Sequence, residues 1–179
     1  MLKIKIPSSE IFDESTNRFI TIKGQEIQLE HSLVSVSKWE SKWKKPFLGD
    51  KPKTREETID YIRCMTITQN VDPSVYYGVT DQNIREINAY IDDPMTATTF
   101  KNKMRKASRQ IVTSEIIYYW MIALEIPLEC QKWHLNRLLT LIRVCDEKNQ
   151  PSKKKSRKEI MAENRALNQI RKARSGTHG

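Results

Sequence analysis

Glycine is scarce in this chain of 179 residues. There are five, at Gly24, Gly49, Gly78, Gly176 and Gly179, and none of them shares a loop motif with another. A backbone that wraps a phosphate needs several small residues in one loop, so the Gly-rich nucleotide-binding motifs are excluded. Cysteine is almost as rare. Cys64, Cys130 and Cys145 are odd in number and widely spaced, which frames neither a disulfide scaffold nor a zinc site, and reduced thiols inside helices are expected. His31, His134 and His178 are scattered, with no metal-ligand spacing, and a packed His134 is preferred over a ligand. Ser, His and Asp occur without a nucleophile motif. The neighbouring carboxylates Glu56-Glu57 and Asp92-Asp93 would point in different directions on a helix, so capping explains them better than acid–base work. Long apolar runs are missing too. Glu125, Glu129 and Lys132 interrupt the longest one, short of the ~18 residues that a bilayer span needs. MLKIKIPSSE at the start has no signal-peptide core. These absences imply a soluble, cytoplasmic, non-enzymatic chain without membrane span, cofactor, metal site or catalytic residue.

Positive charge and helical periodicity are what the sequence does have. The formal charge is +9, and residues 151–179 hold nine Lys/Arg against two Glu, a net of +7, so residues 1–150 carry only +2. The basic residues of this tail are Lys153, Lys154, Lys155, Arg157, Lys158, Arg165, Arg171, Lys172 and Arg174. Ser156 with Glu159 has capping-box spacing, and Ile160, Leu167 and Ile170 make a thin apolar stripe, so residues 156–173 are expected to be helical on a partner and disordered without one. The tail has no aromatic residue to stack on bases, which weakens sequence-specific nucleic-acid recognition. A solvated or protein-docking tail therefore stands level with a nucleic-acid arm.

The body is organised around TSEIIYYWMIALEIPLECQKWHLNRLLTLIRVC, residues 113–145. Its spacing predicts two helices joined at Pro127, the first capped by Thr113 and apolar almost all round, the second carrying Leu128, Leu135, Leu138, Leu139, Ile142 and Cys145 on one side. Before it, alternation at 3–6, 18–22 and 26–29, the last two flanking Gly24, predicts a β-hairpin or three-stranded antiparallel sheet. Leu33, Val36, Trp39 and Trp43 define a helix from Ser32, residues 44–53 an exposed loop, and Thr54 with Glu57 the capping box of a helix reaching about Thr66. A turn region follows around Pro73 and Gly78. Thr80 or Asp81 then caps a helix bearing Ile84, Ile87 and Ile91 that Asp93-Pro94 ends. Lys101, Lys103, Arg105, Lys106 and Arg109 form a basic patch read as a solvated connector. The expected class is α+β, mainly α-helical: residues 1–30 β, 31–150 helical, and 151–179 a separate basic tail.

Trp39, Trp43 and Phe47, four residues apart, read first as anchors of their helix to the core. A second reading makes them, with Tyr118, Tyr119 and Trp120, a surface for a partner.

LEHSLVSVSKWESKWKKPFL (29–48), the 54–66 segment with IRCMT, INAYIDDPMTATTF (87–100), SEIIYYWMIALEIPLECQKWHLNRLLTLIRVC (114–145) and RKEIMAENRALNQIRKARSGTHG (157–179) together resemble a family of small proteins from the tail morphogenesis region of tailed bacteriophages. The resemblance covers nearly the whole chain. It implies a tail assembly chaperone that binds the tape-measure protein, and also tube subunits, in the host cytoplasm during assembly. The alternative it leaves open is a structural virion component of the tail or head-tail region, whose basic tail docks on neighbouring subunits or nucleic acid. A homo-oligomer fits either role. The resemblance carries no catalytic motif.

Overall fold

Alternating apolar and polar residues make the N-terminal stretch a ribbon of four short strands: β1 (Leu2–Ile6), β2 (Ser9–Asp13), β3 (Arg18–Ile22) and β4 (Gln25–Leu29). The computed structural model describes residues 1–13, 17–49, 51–100, 111–149 and 157–175. β1 pairs with β4 and β2 with β3, both antiparallel. Ile6 faces Gln25, and three residues on Ser9 faces Ile22, three residues back, so one register runs through both pairs. The ribbon is thus a single long hairpin interrupted where Pro7-Ser8 passes Lys23-Gly24. Pro7 has no N–H to give to a ladder.

The strands on either side of Gly24, β3 and β4, do not pair with each other. Gly24 lies at the interruption rather than in a tight turn, and a Cβ built on it would sit 2.8 Å from Ser8 N and 3.2 Å from Ile6 O. The two chains approach each other there as only glycine permits. Gly24→Ala is expected to cost about 2 kcal/mol, because backbone on both sides would have to move; urea unfolding measures this directly.

On the inner face Ile4, Ile6, Ile27 and Leu29 are buried, while Lys3, Lys5 and Glu26 alternate outward. β4 does not end as a bare edge. Glu30 N donates to Met65 O and Ile67 N to Gln28 O, so the chain leaving the second helix closes that side.

Among the described residues six α-helices follow: α1 (Leu33–Trp43), α2 (Arg55–Met65), α3 (Asp81–Asp92), α4 (Ser114–Ala123), α5 (Leu135–Asn149) and α6 (Arg157–Ser175). Two 3-10 turns, Pro73–Gly78 and Leu128–Lys132, lie between them. The caps are local chemistry. Ser32 accepts from Ser35 N to open α1, Thr54 and Glu57 close a reciprocal capping box on α2, and Thr80 with Asn83 does the same on α3. Leu33, Val36, Ile62, Met65, Ile117, Met121, Leu135 and Leu138 join the inner face of the ribbon in one core. The protein is therefore α+β and mainly helical, with its small antiparallel sheet packed on helices.

The second core helix begins at Leu135, not at Pro127. Trp133 is extended, with φ −70° and ψ 163°, His134 pairs with Ser32, and Leu135 N donates to His31 O at 2.7 Å. A backbone seam to the end of the ribbon thus interrupts the helical period, and Pro127 caps only the short 3-10 turn. The 44–53 loop is also less exposed than expected, since Phe47 inserts into the core with 7% exposure.

The chain divides into two compact units, Met1–Asp146 and Glu147–Gly179. The basic patch Lys101 to Arg109, the lysines 153–155 and the Ser156 cap lie outside the described residues. Among the described residues, no helix is long and apolar enough to cross a membrane.

Candidate partner-binding surface

Trp39 and Trp43 share one face of α1, and that face meets α2. The Trp39 indole N–H donates to Glu57 O at 2.9 Å, and Trp43 N–H to Asp60 Oδ2 at 2.9 Å. Trp39 is 1% exposed. Phe47 lies against Tyr61 with ring centroids 4.0 Å apart, and edge-on to Trp39 at 5.3 Å. Lys53 covers the outside, donating to Phe47 O and standing 4.1 Å from the ring centre. The expectation that Trp39 and Phe47 offer a partner surface is corrected: both are core, and Trp43 is half-buried with its polar atom already bonded.

Two buried polar clusters hold the helices in place. The Glu40 carboxylate, on α1, accepts Phe47 N with Oε1 and Ser114 N with Oε2, each at 2.7 Å. It caps α4 in place of Thr113, whose side chain makes no cap bond. The second cluster gathers at the seam. His134 accepts Asn136 N on Nδ1 at 3.3 Å, which leaves Nε2–H to donate to Tyr90 O at 3.0 Å. His31, 5.1 Å away ring to ring, is bonded through Nδ1 to the Tyr61 hydroxyl. Burial first, then electrostatic interaction with the neighbouring His134 and Lys53, pushes the His31 pKa down to about 3. Burial likewise pushes the Tyr61 hydroxyl well up, and raises the thiol of Cys64. Among the described residues no group of three or more His, Cys, Asp or Glu is placed to hold a metal ion. These bonds, to backbone and to neighbouring side chains, cross-link the segments of the unit.

An open groove of about 390 Å³ between β1 and α3 is lined by Lys5, Pro7, Thr80, Gln82, Asn83 and Glu86. Asn83 and Thr80 there are engaged with each other in the α3 capping box.

Exposed apolar surface concentrates elsewhere. α4 buries Ile117 and Met121 and turns Glu115, Tyr119, Ile122 and Ala123 outward, the last three lying four, seven and eight residues on from Glu115 and so sharing its face. Tyr119 is 67% and Ile122 70% exposed, and Leu128 in the following turn is 53% exposed. Of the residues expected at a partner surface, only Tyr119 is thus freely presented. Tyr118 is half-buried, its hydroxyl donating to Gln131 Oε1 at 2.9 Å, and Trp120 is half-buried against the core. Sequence reasoning missed Ile122 and Leu128, although the Glu115–Tyr119–Ile122 spacing with a charge at its head was readable as an outward stripe. It also missed Phe12 and Phe19, directly paired across β2 and β3 with rings 5.1 Å apart and both exposed.

In the second unit α6 runs for 19 residues. Its Arg165, Arg171, Lys172, Arg174, Ile160, Leu167 and Ile170 are all exposed. The expected apolar stripe is present as helical spacing.

No protein family, curated protein or solved structure matches the chain.

Proposed function

We propose that the protein is a non-catalytic tail assembly protein of a tailed bacteriophage, a chaperone that holds an apolar stripe of the tape-measure protein until the tube closes round it. The family resemblance supplies the setting. The physical support is one observation: an exposed apolar stripe, Tyr119 and Ile122 with Leu128 beyond, on a helix whose other side is locked in the core. A long helical partner presents residues at three- and four-residue spacing, and a stripe of this kind can lie along it. Aromatic and aliphatic side chains fixed on a rigid element are where binding energy concentrates. The host cytoplasm is the place of such a complex, and the tube subunits are its next recipients.

Tyr119→Asp with Ile122→Asp tests this. The double variant is expected to keep its helicity and its unfolding midpoint, since exposed substitutions change stability by about 0.5 kcal/mol or less. It should also bind tape-measure protein, identified by mass spectrometry in pull-downs from infected cells, at least about thirty-fold more weakly. Purified particles should lack the protein. Many copies in the particle would replace the chaperone with a structural virion component.

A further inference from the structure

We infer that the α4 face is also the docking site for α6 of a second copy of this chain. Tyr119, Ile122 and Leu128 are exposed on the first unit, and Ile160, Leu167 and Ile170 are 45%, 45% and 62% exposed on the second. A 19-residue helix with so thin a stripe gains little from its own propensity and needs a packed face. In this proposal a second copy supplies that face, and the charges select it.

The α4 face is apolar at its centre and acidic at its rim. Glu115 precedes the stripe, and Glu125 and Glu129 follow it, all exposed, against a single Lys132 between 111 and 132. Neither Glu125 nor Glu129 has an ion-pair partner among the described residues. α6 is the complement. Arg171 and Arg174 follow Leu167 and Ile170 by four positions each, so they stand on the same side as the stripe, and residues 157–175 hold six basic against two acidic groups. Apolar centre meets apolar stripe, and carboxylate rim meets guanidinium. Two copies can exchange their helices reciprocally, so both stripes of each chain are covered in a closed pair, as a two-fold interface requires. Pairing of α6 with α6 would set two like-charged helices together. Nucleic acid would neutralise the arginines but leave the isoleucines wet.

The test uses the full chain in sedimentation velocity and shares no component with the tape-measure experiment, so either proposal can fail alone. The wild type is expected to be a dimer that weakens as salt rises. Glu125→Arg/Glu129→Arg places positive charge on the rim opposite the positive end of the helix, and Arg171→Glu/Arg174→Glu places carboxylates at that end of the helix opposite the acidic rim. Each variant alone should dissociate at least about thirty-fold more readily, through like-charge repulsion. An equimolar mixture should recover the dimer, because both crossed contacts are then of opposite sign. Leu167→Asn/Ile170→Asn, confined to α6, should abolish the dimer with the unfolding midpoint of the body unchanged. A wild type that stays monomeric, a dimer that survives all three variants, a mixture that does not recover, or a monomer purified with nucleic acid on its basic helix would each overturn the inference.

Discussion

Glu40→Ala is expected to destabilise the first unit by about 4 kcal/mol. The side chain is 7% exposed, and its two oxygens are the acceptors for Phe47 N and Ser114 N, both buried bonds of 2.7 Å. Truncation leaves two buried N–H groups without partners, at roughly 1–3 kcal/mol each. It also removes negative charge from the N-terminus of α4, where the helix dipole favours it. For a unit of this size the melting temperature should fall by roughly 12 °C. Glu40→Gln separates the causes. Its volume is kept, but its amide can accept only one of the two N–H groups and presents a donor to the other, so about half the loss should remain. A melting temperature within a degree or so of wild type for Glu40→Ala would mean that the three segments joined at this carboxylate are held by apolar packing alone.

Glu40 also shows where sequence reading stopped. The capping boxes at Thr54 and Thr80 were legible because donor and acceptor lie three residues apart, and no tertiary fact is needed to pair them. The α4 cap was not, since its acceptor comes from 74 residues earlier in the chain; Thr113 had the right side chain at the right position and lost to a buried carboxylate. The start of α5 fails for the same reason. Apolar period runs smoothly from Leu128 to Cys145 in sequence, yet His134 and Leu135 are committed to the backbone of His31 and Ser32.

The ribbon failed differently. β1 and β4 alternate, as half-buried strands do, while Phe19 beside Ile20 breaks the period of two in β3 and Ile11 beside Phe12 breaks it in β2. Its Phe12 and the opposite Phe19 are exposed, so no buried face imposed a pattern that could be read. For the partner surface, the aromatic count pointed to the wrong place. Trp39 and Phe47 are conspicuous in sequence and spent in the core, while the exposed stripe consists of one tyrosine and ordinary aliphatics that only the direction of α4 distinguishes.

Mild acid should loosen the first unit through His31. His31 is 2% exposed, at the junction of the ribbon with α2 and α5, and its neighbours are the Tyr61 hydroxyl, the His134 ring and the Phe47 ring. Burial, and after it electrostatic interaction with His134 and Lys53, holds its pKa at about 3, against 6.5 when the chain is open. The folded state thus binds the proton less readily than the unfolded state. This contribution is complete above pH 6.5 and is lost as the pH falls from there toward 3, by about 1.4 kcal/mol per pH unit and about 5 kcal/mol in all. Glu57 and Glu115 have depressed pKa values, Glu57 through Lys45 and Glu115 through the backbone. A depressed carboxylate loses its stabilising effect only below its ordinary range near 4.5, so it adds to the slope there and not above. Between pH 6.5 and 5 the histidine acts without them. Urea unfolding across that interval should show a fall of about 2 kcal/mol. His31→Phe, whatever its effect at neutral pH, should be flat over the same range because it has no proton to exchange. A wild-type curve as flat as the variant's would mean that the seam opens enough in the native state for His31 to be protonated in place.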